Sequence, residues 1–208
     1  DCHMPVVAGE VSVTGVLANP REDVNQHIFR GGNFLMPRIL NKHRADLNVQ
    51  ALPQDLEATA RAVETHLATM TAELTLNGEM DEDGLLAVDV KVNNLAGHKL
   101  PSAYPSRRAW LHFTVTDAYG RVVLESGAFK PDGFIEGNDN DLDAARFEPH
   151  YDEITSSNQV QIYEDIMVDY AGEVTTGLLY GARYIKDNRL LPVGFDKTTA
   201  DYDVAVHG

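Results

Sequence analysis

The hydrophobic positions of the chain change period once. Between residues 54 and 70, Leu56, Ala60, Val63, Leu67 and Met70 recur at spacings of four and three, which makes one apolar stripe. Pro53 stands just before it, where a helix tolerates the missing N–H. This segment predicts the main helix. Residues 33–47 predict one or two shorter helical turns interrupted by Pro37. Residues 9–15 alternate weakly and read as a short strand. From Thr71 the period falls to two. Ala72, Leu74 and Leu76 alternate with polar residues up to Asn77-Gly78, and Leu86, Val88, Val90 and Val92 follow on one side of a second run. The two runs predict an antiparallel hairpin with one buried face. Further strands are predicted at Leu111–Val115, Val122–Leu124, Val160–Val168, Val174–Tyr180 and residues 203–206. Short strands joined by Gly/Asp/Asn turns predict a mainly β chain: an antiparallel β-sandwich, immunoglobulin-like or jelly-roll-like, preceded by a short α-helical segment. The expected division is a largely helical region over residues 1–70 and a sandwich domain over residues 71–208.

Composition narrows the function. With 17 Lys+Arg against 32 Asp+Glu, the net charge is −15, the wrong sign for a nucleic-acid surface. No apolar run approaches the roughly 18 residues of a membrane-spanning helix. No signal peptide is visible at the start, so any targeting segment is absent or lies upstream. The single cysteine, Cys2, rules out an internal disulfide.

Its position matters more than its number. Covalent haem attachment uses C-x-x-C-H, in which two thioethers hold the porphyrin and the histidine ligates iron. Asp1-Cys2-His3 matches the last three positions of that motif. Two other readings remain open: a lone cysteine beside a lone histidine, or a histidine at position three that binds copper or nickel through backbone nitrogens at a free amino terminus. His27 lies in a loop that ends in Gly31-Gly32, either within reach of a cofactor or on the surface. His66, next to the helix stripe, reads as a packing residue, and His43 as solvated. Asp139, Asp141 and Asp143 match the first positions of a calcium loop. Ala144 then replaces the required glycine and His150 the final glutamate, so calcium would need another geometry. His98, Lys99, Arg107, Arg108 and His150 either line an anionic pocket or lock loops to the β domain, and locking is the favoured reading. No G-x-S-x-G, P-loop, H-E-x-x-H or G-x-G-x-x-G motif is present, so no enzyme class is indicated.

Several segments carry a wider resemblance. They are Cys2-His-Met-Pro5, His27-Ile-Phe-Arg-Gly-Gly-Asn33, Asn94-Leu-Ala-Gly-His-Lys-Leu-Pro101, Pro105-Ser-Arg-Arg-Ala-Trp-Leu-His112, Val115-Thr-Asp117, Gln159-Val-Gln-Ile-Tyr-Glu164 and Tyr184-Ile-Lys-Asp-Asn-Arg-Leu-Leu-Pro192. Together they resemble the C-terminal region of bacterial multihaem c-type cytochromes, where a last haem motif precedes a helical linker and a β-sandwich. The resemblance implies haem c, with Cys2 the second thioether cysteine, His3 the proximal iron ligand and His27 a candidate distal ligand. It implies electron transfer outside the cytoplasm, periplasmic or extracellular. The partners would be redox proteins or haem domains of the same chain. The first cysteine of the motif and any upstream haem motifs are missing from this sequence, so a fragment with an accessory sandwich is expected. The rival expectation is a stand-alone extracytoplasmic binding module for calcium, carbohydrate or a protein ligand.

Overall fold

The computed structural model describes residues 3–102, 104–196 and 198. Cys2 and the strand expected over 203–206 lie outside the described residues. The chain is mainly β, with nine strands and two helices among the described residues, and every strand pairing is antiparallel. It divides into two compact units, Asp1–Ala96 and Gly97–Gly208, so the first hairpin is counted with the helices.

In the first unit, residues 3–30 run out and back as two lengths of chain. Val6 bridges Asn25 and Val11 bridges Arg21, with Val7 N–H donating to the Val24 carbonyl at 2.9 Å and Gln26 N–H to the Pro5 carbonyl at 2.9 Å. The strand expected over residues 9–15 is reduced to the bridge at Val11. Val13 is 61% exposed, so the weak alternation has nothing to bury against. Helix α1 is Leu35–Lys42. Pro37 does not interrupt it, because as the third residue it loses only an N–H that has no intrahelical partner. Asn33 Oδ1 accepts the Met36 N–H at 3.0 Å at the same end. Helix α2 is Pro53–Met70, with proline at its first position and Ala60 and Val63 buried. Arg38 of α1 grips Glu64 of α2 with both ends of its guanidinium, at 2.6 and 2.8 Å.

Strands β1 (Ala72–Met80) and β2 (Leu86–Asn94) form one regular hairpin, from Ala72 opposite Asn94 to Met80 opposite Leu86. The first strand runs straight through Asn77-Gly78, and the turn falls on Asp81–Gly84, where Asp81 Oδ1 accepts the N–H groups of Asp83 and Leu85. Val88, Val90 and Val92 are half-buried, while Leu74 and Leu76 opposite them are exposed. The expected buried face is thus present on β2 only.

In the second unit, β3 (Ala109–Trp110) pairs with β6 (Ile162–Tyr163), β4 (Phe113–Thr116) with β5 (Val122–Ser126), and β7 (Asp165–Val168) with both β8 (Val174–Thr175) and β9 (Arg183–Asp187). Among the described residues these are small separate sheets and none closes into a barrel. The long strand expected over Val160–Val168 breaks at Glu164, because Asn188 takes its backbone: Glu164 N–H donates to Asn188 Oδ1 at 3.0 Å. The strand expected over Val174–Tyr180 stops at Thr175, where Gly177–Tyr180 turn back with Tyr180 N–H donating to Gly177 O. The core is Ile135, Val160 and Ile162, with Trp110 packed on it.

Candidate functional site

The first constellation surrounds His3. Its Nδ1 faces the carbonyl oxygen of Arg30, and Arg30 N–H donates to the His3 carbonyl at 2.9 Å. A carbonyl can only accept, so Nδ1 carries the proton and the lone pair is left on Nε2. That is how a metal-ligating histidine is commonly fixed. The ring of His66, from the last turns of α2, lies 6.1 Å from the His3 ring, centre to centre, with the planes tilted by 45°. Burial, then the neighbouring His3 and Arg30, hold the His66 imidazole below its usual pKa. Arg30 Nε is buried and makes no hydrogen bond. An orphaned guanidinium nitrogen beside two imidazoles suits a group that carries both a metal and carboxylates.

The other expected ligand, His27, is exposed and stacks on Phe29, with ring centres 5.7 Å apart and planes at 20°. His66 was expected only to pack. The signal that could have promoted it is a histidine three residues after the buried Val63, at a half-buried position on an otherwise aliphatic stripe.

The second constellation lies in the second unit. Asp141 pairs with Arg108 at 2.6 Å and accepts the Ile135 N–H at 3.3 Å, Asp139 pairs with Arg146, and Asp143 accepts the Ala145 N–H at 3.0 Å. The three aspartates expected for calcium are each engaged with arginine or backbone. Calcium wants six or more converging oxygens, and among the described residues no group of three or more His, Cys, Asp or Glu is placed to hold a metal ion. The cationic residues read as locking do find partners. Lys99 Nζ lies 2.5 Å from Asp187 Oδ2, and His150 Nδ1 accepts from Gln161 Nε2 at 2.8 Å. Arg107 reaches the Ser102 carbonyl at 3.4 Å, and His98 Nδ1 lies 2.9 Å from the Lys99 carbonyl.

A cleft of about 290 Å³ in the second unit is lined by residues that include Arg108, Asp141, Glu164, Asp165 and Met167. Asp165 Oδ2 is buried and makes no hydrogen bond, its nearest cation being Arg189 at 3.6 Å. Burial raises the Asp165 carboxyl above its usual range against the pull of Arg189. For Asp187, burial pushes the same way, but hydrogen bonds from Arg189 and Lys99 outweigh it and hold the carboxyl low. The pair therefore divides the roles: Asp187 keeps its charge with two cations, and Asp165 is the weaker acid beside it.

No protein-family model, curated protein or solved structure matches the chain.

Proposed function

We propose that the chain is the C-terminal part of an exported multihaem c-type cytochrome. Cys2 carries a thioether to the porphyrin and His3 ligates its iron. His27 is the ligand that the resemblance offers for the opposite side. The haem, when bound, supplies reversible one-electron transfer. The second unit, Gly97–Gly208, is the accessory β-sandwich, which docks against haem domains of the same chain or a redox partner in the periplasm or outside the cell. The antiparallel pairings and the inward core of Ile135, Val160 and Ile162 support the sandwich.

The observation that supports the haem reading is the bond between His3 Nδ1 and the Arg30 carbonyl, which selects the tautomer that a metal-ligating histidine uses. The apolar surface of the first unit supports it. Among its described residues only Ala60 and Val63 are buried hydrophobics, while Val6, Ile28, Phe29, Leu35 and Met36 are exposed. A bound porphyrin would cover such surface.

The test is the absorbance spectrum of the natural full-length polypeptide, expressed with haem-attachment machinery. A reduced c-type α-band that survives denaturation is expected. Absence of covalent haem sinks the reading and leaves a binding module without redox function.

A further inference from the structure

We propose that His66 is the histidine that faces His3 across the iron. The inference rests on the haem reading above and assigns the second axial position within it.

Spacing is the first argument. An imidazole nitrogen binds a metal ion of this kind at about 2.0–2.1 Å. Its ring centre then lies about 3 Å from the metal, and two such rings on opposite sides stand about 6 Å apart. His3 and His66 are 6.1 Å apart. Ordinary ring contacts in this chain span the same range, from 5.7 Å for His27 and Phe29 to 6.3 Å for His112 and Phe129, so the spacing is one that this coordination allows.

The ligand count is the second. Two histidines are too few for a zinc ion, which takes three or four protein ligands. They are enough for an iron that already has four porphyrin nitrogens. The described residues contain no larger group of metal-binding side chains.

Positioning is the third. His66 sits on α2, an 18-residue helix that α1 braces through the Arg38–Glu64 pair. His3 is held by Arg30 through two hydrogen bonds. The His3 ring is therefore oriented by backbone before any ligand arrives, and His66 is carried towards it on a braced helix. Arg30 Nε, buried and unpartnered, is the donor for a porphyrin carboxylate. His27, exposed on a loop and stacked on Phe29, has no such support.

The experiment is carbon monoxide uptake by the reduced, full-length, haem-loaded polypeptide and its variants. Carbon monoxide binds where an axial position is open. His66→Ala should take up one more carbon monoxide per chain than the wild type and show a new high-spin signal, while His27→Ala should not differ from the wild type. His66→Met should stay low-spin and raise one midpoint potential, since methionine in place of histidine favours the reduced iron. Uptake by His66→Ala equal to the wild type, or one extra equivalent in His27→Ala alone, overturns the assignment while leaving the haem reading intact. So does a His66→Met protein with unchanged potentials. A wild-type polypeptide without covalent haem overturns both.

Discussion

At Asp187 one carboxylate serves two cations. Lys99 Nζ is 2.5 Å from Oδ2, and Arg189 donates from Nε to Oδ1 at 2.8 Å and from Nη2 to Oδ2 at 2.7 Å. The side chains of Asp187, Arg189 and Lys99 are 1%, 9% and 19% exposed. Removing the acid strands two cations in a poorly solvated place, at a cost of about 3–5 kcal/mol. Asp187→Asn should show that loss in denaturant unfolding at neutral pH. The folded Asp187 carboxyl lies below its ordinary value. Its contribution is thus complete above the unfolded pKa and lost as the pH falls through the folded one. The gap between wild type and variant should therefore narrow in acid; a gap that persists there contradicts the assignment. Asp165 has the opposite sign, since its raised pKa means that protonation on acidification relieves its burial. Asp187 and Arg189 are two positions apart, so their pairing is local. Lys99 was not assigned to it, because 88 positions of chain separate it from Asp187. The contact of His66 with His3 was out of sight for the same reason, since the two are far apart in sequence.

At the scale of elements, the end of β5 is the tightest corner. Ser126 Oγ donates to the Gln159 carbonyl at 2.6 Å, and Trp110 Nε1–H donates to the Gly127 carbonyl at 3.0 Å. Gly127 has φ +74°, and a Cβ there would meet the Leu111 carbonyl oxygen at 2.2 Å. A left-handed conformation alone costs a non-glycine residue about 1–2 kcal/mol, and the clash adds to it. Gly127→Ala should lower stability by at least about 2 kcal/mol, read by thermal unfolding followed through tryptophan fluorescence; a neutral variant would show that the corner yields easily. Helix α2 and the two local hairpins were visible as patterns because period and turn residues act within a few positions. The break between β6 and β7 was not. Val160 to Val168 alternates well enough for one strand, and the interruption is imposed from outside, by Asn188 on Glu164 and by Lys186 Nζ, 2.8 Å from Glu164 Oε1. Ile135 was hidden too. It lies in an acidic stretch that reads as a solvated loop, yet it bridges Phe129 and enters the core.

At the scale of the whole molecule, the two units differ in how they hold together. The second has a buried apolar cluster and a buried ion network, whereas the first relies on hydrogen-bonded ladders and on surface pairs such as Arg61–Glu57. The excess of acid over base, 32 against 17, bears on solubility and says nothing about the fold. The pairing of Trp110 with Ile162 has a further consequence, for the order in which the second unit assembles. The β4–β5 hairpin closes across a short turn, while β3 and β6 must meet across roughly fifty residues. Each doubling of loop length adds about 0.6 kcal/mol of closure entropy, so this contact is about 2 kcal/mol harder to nucleate than the hairpin. It should form after the rate-limiting barrier. Ile162→Val, which removes one buried methylene, should then speed unfolding and leave refolding almost unchanged in stopped-flow traces. Trp110, the single tryptophan, stands at that contact and reports the event. A slowed refolding limb would instead place the long-range pairing in the nucleus, and make the closing of this distant contact the step that sets how long a newly made chain stays open.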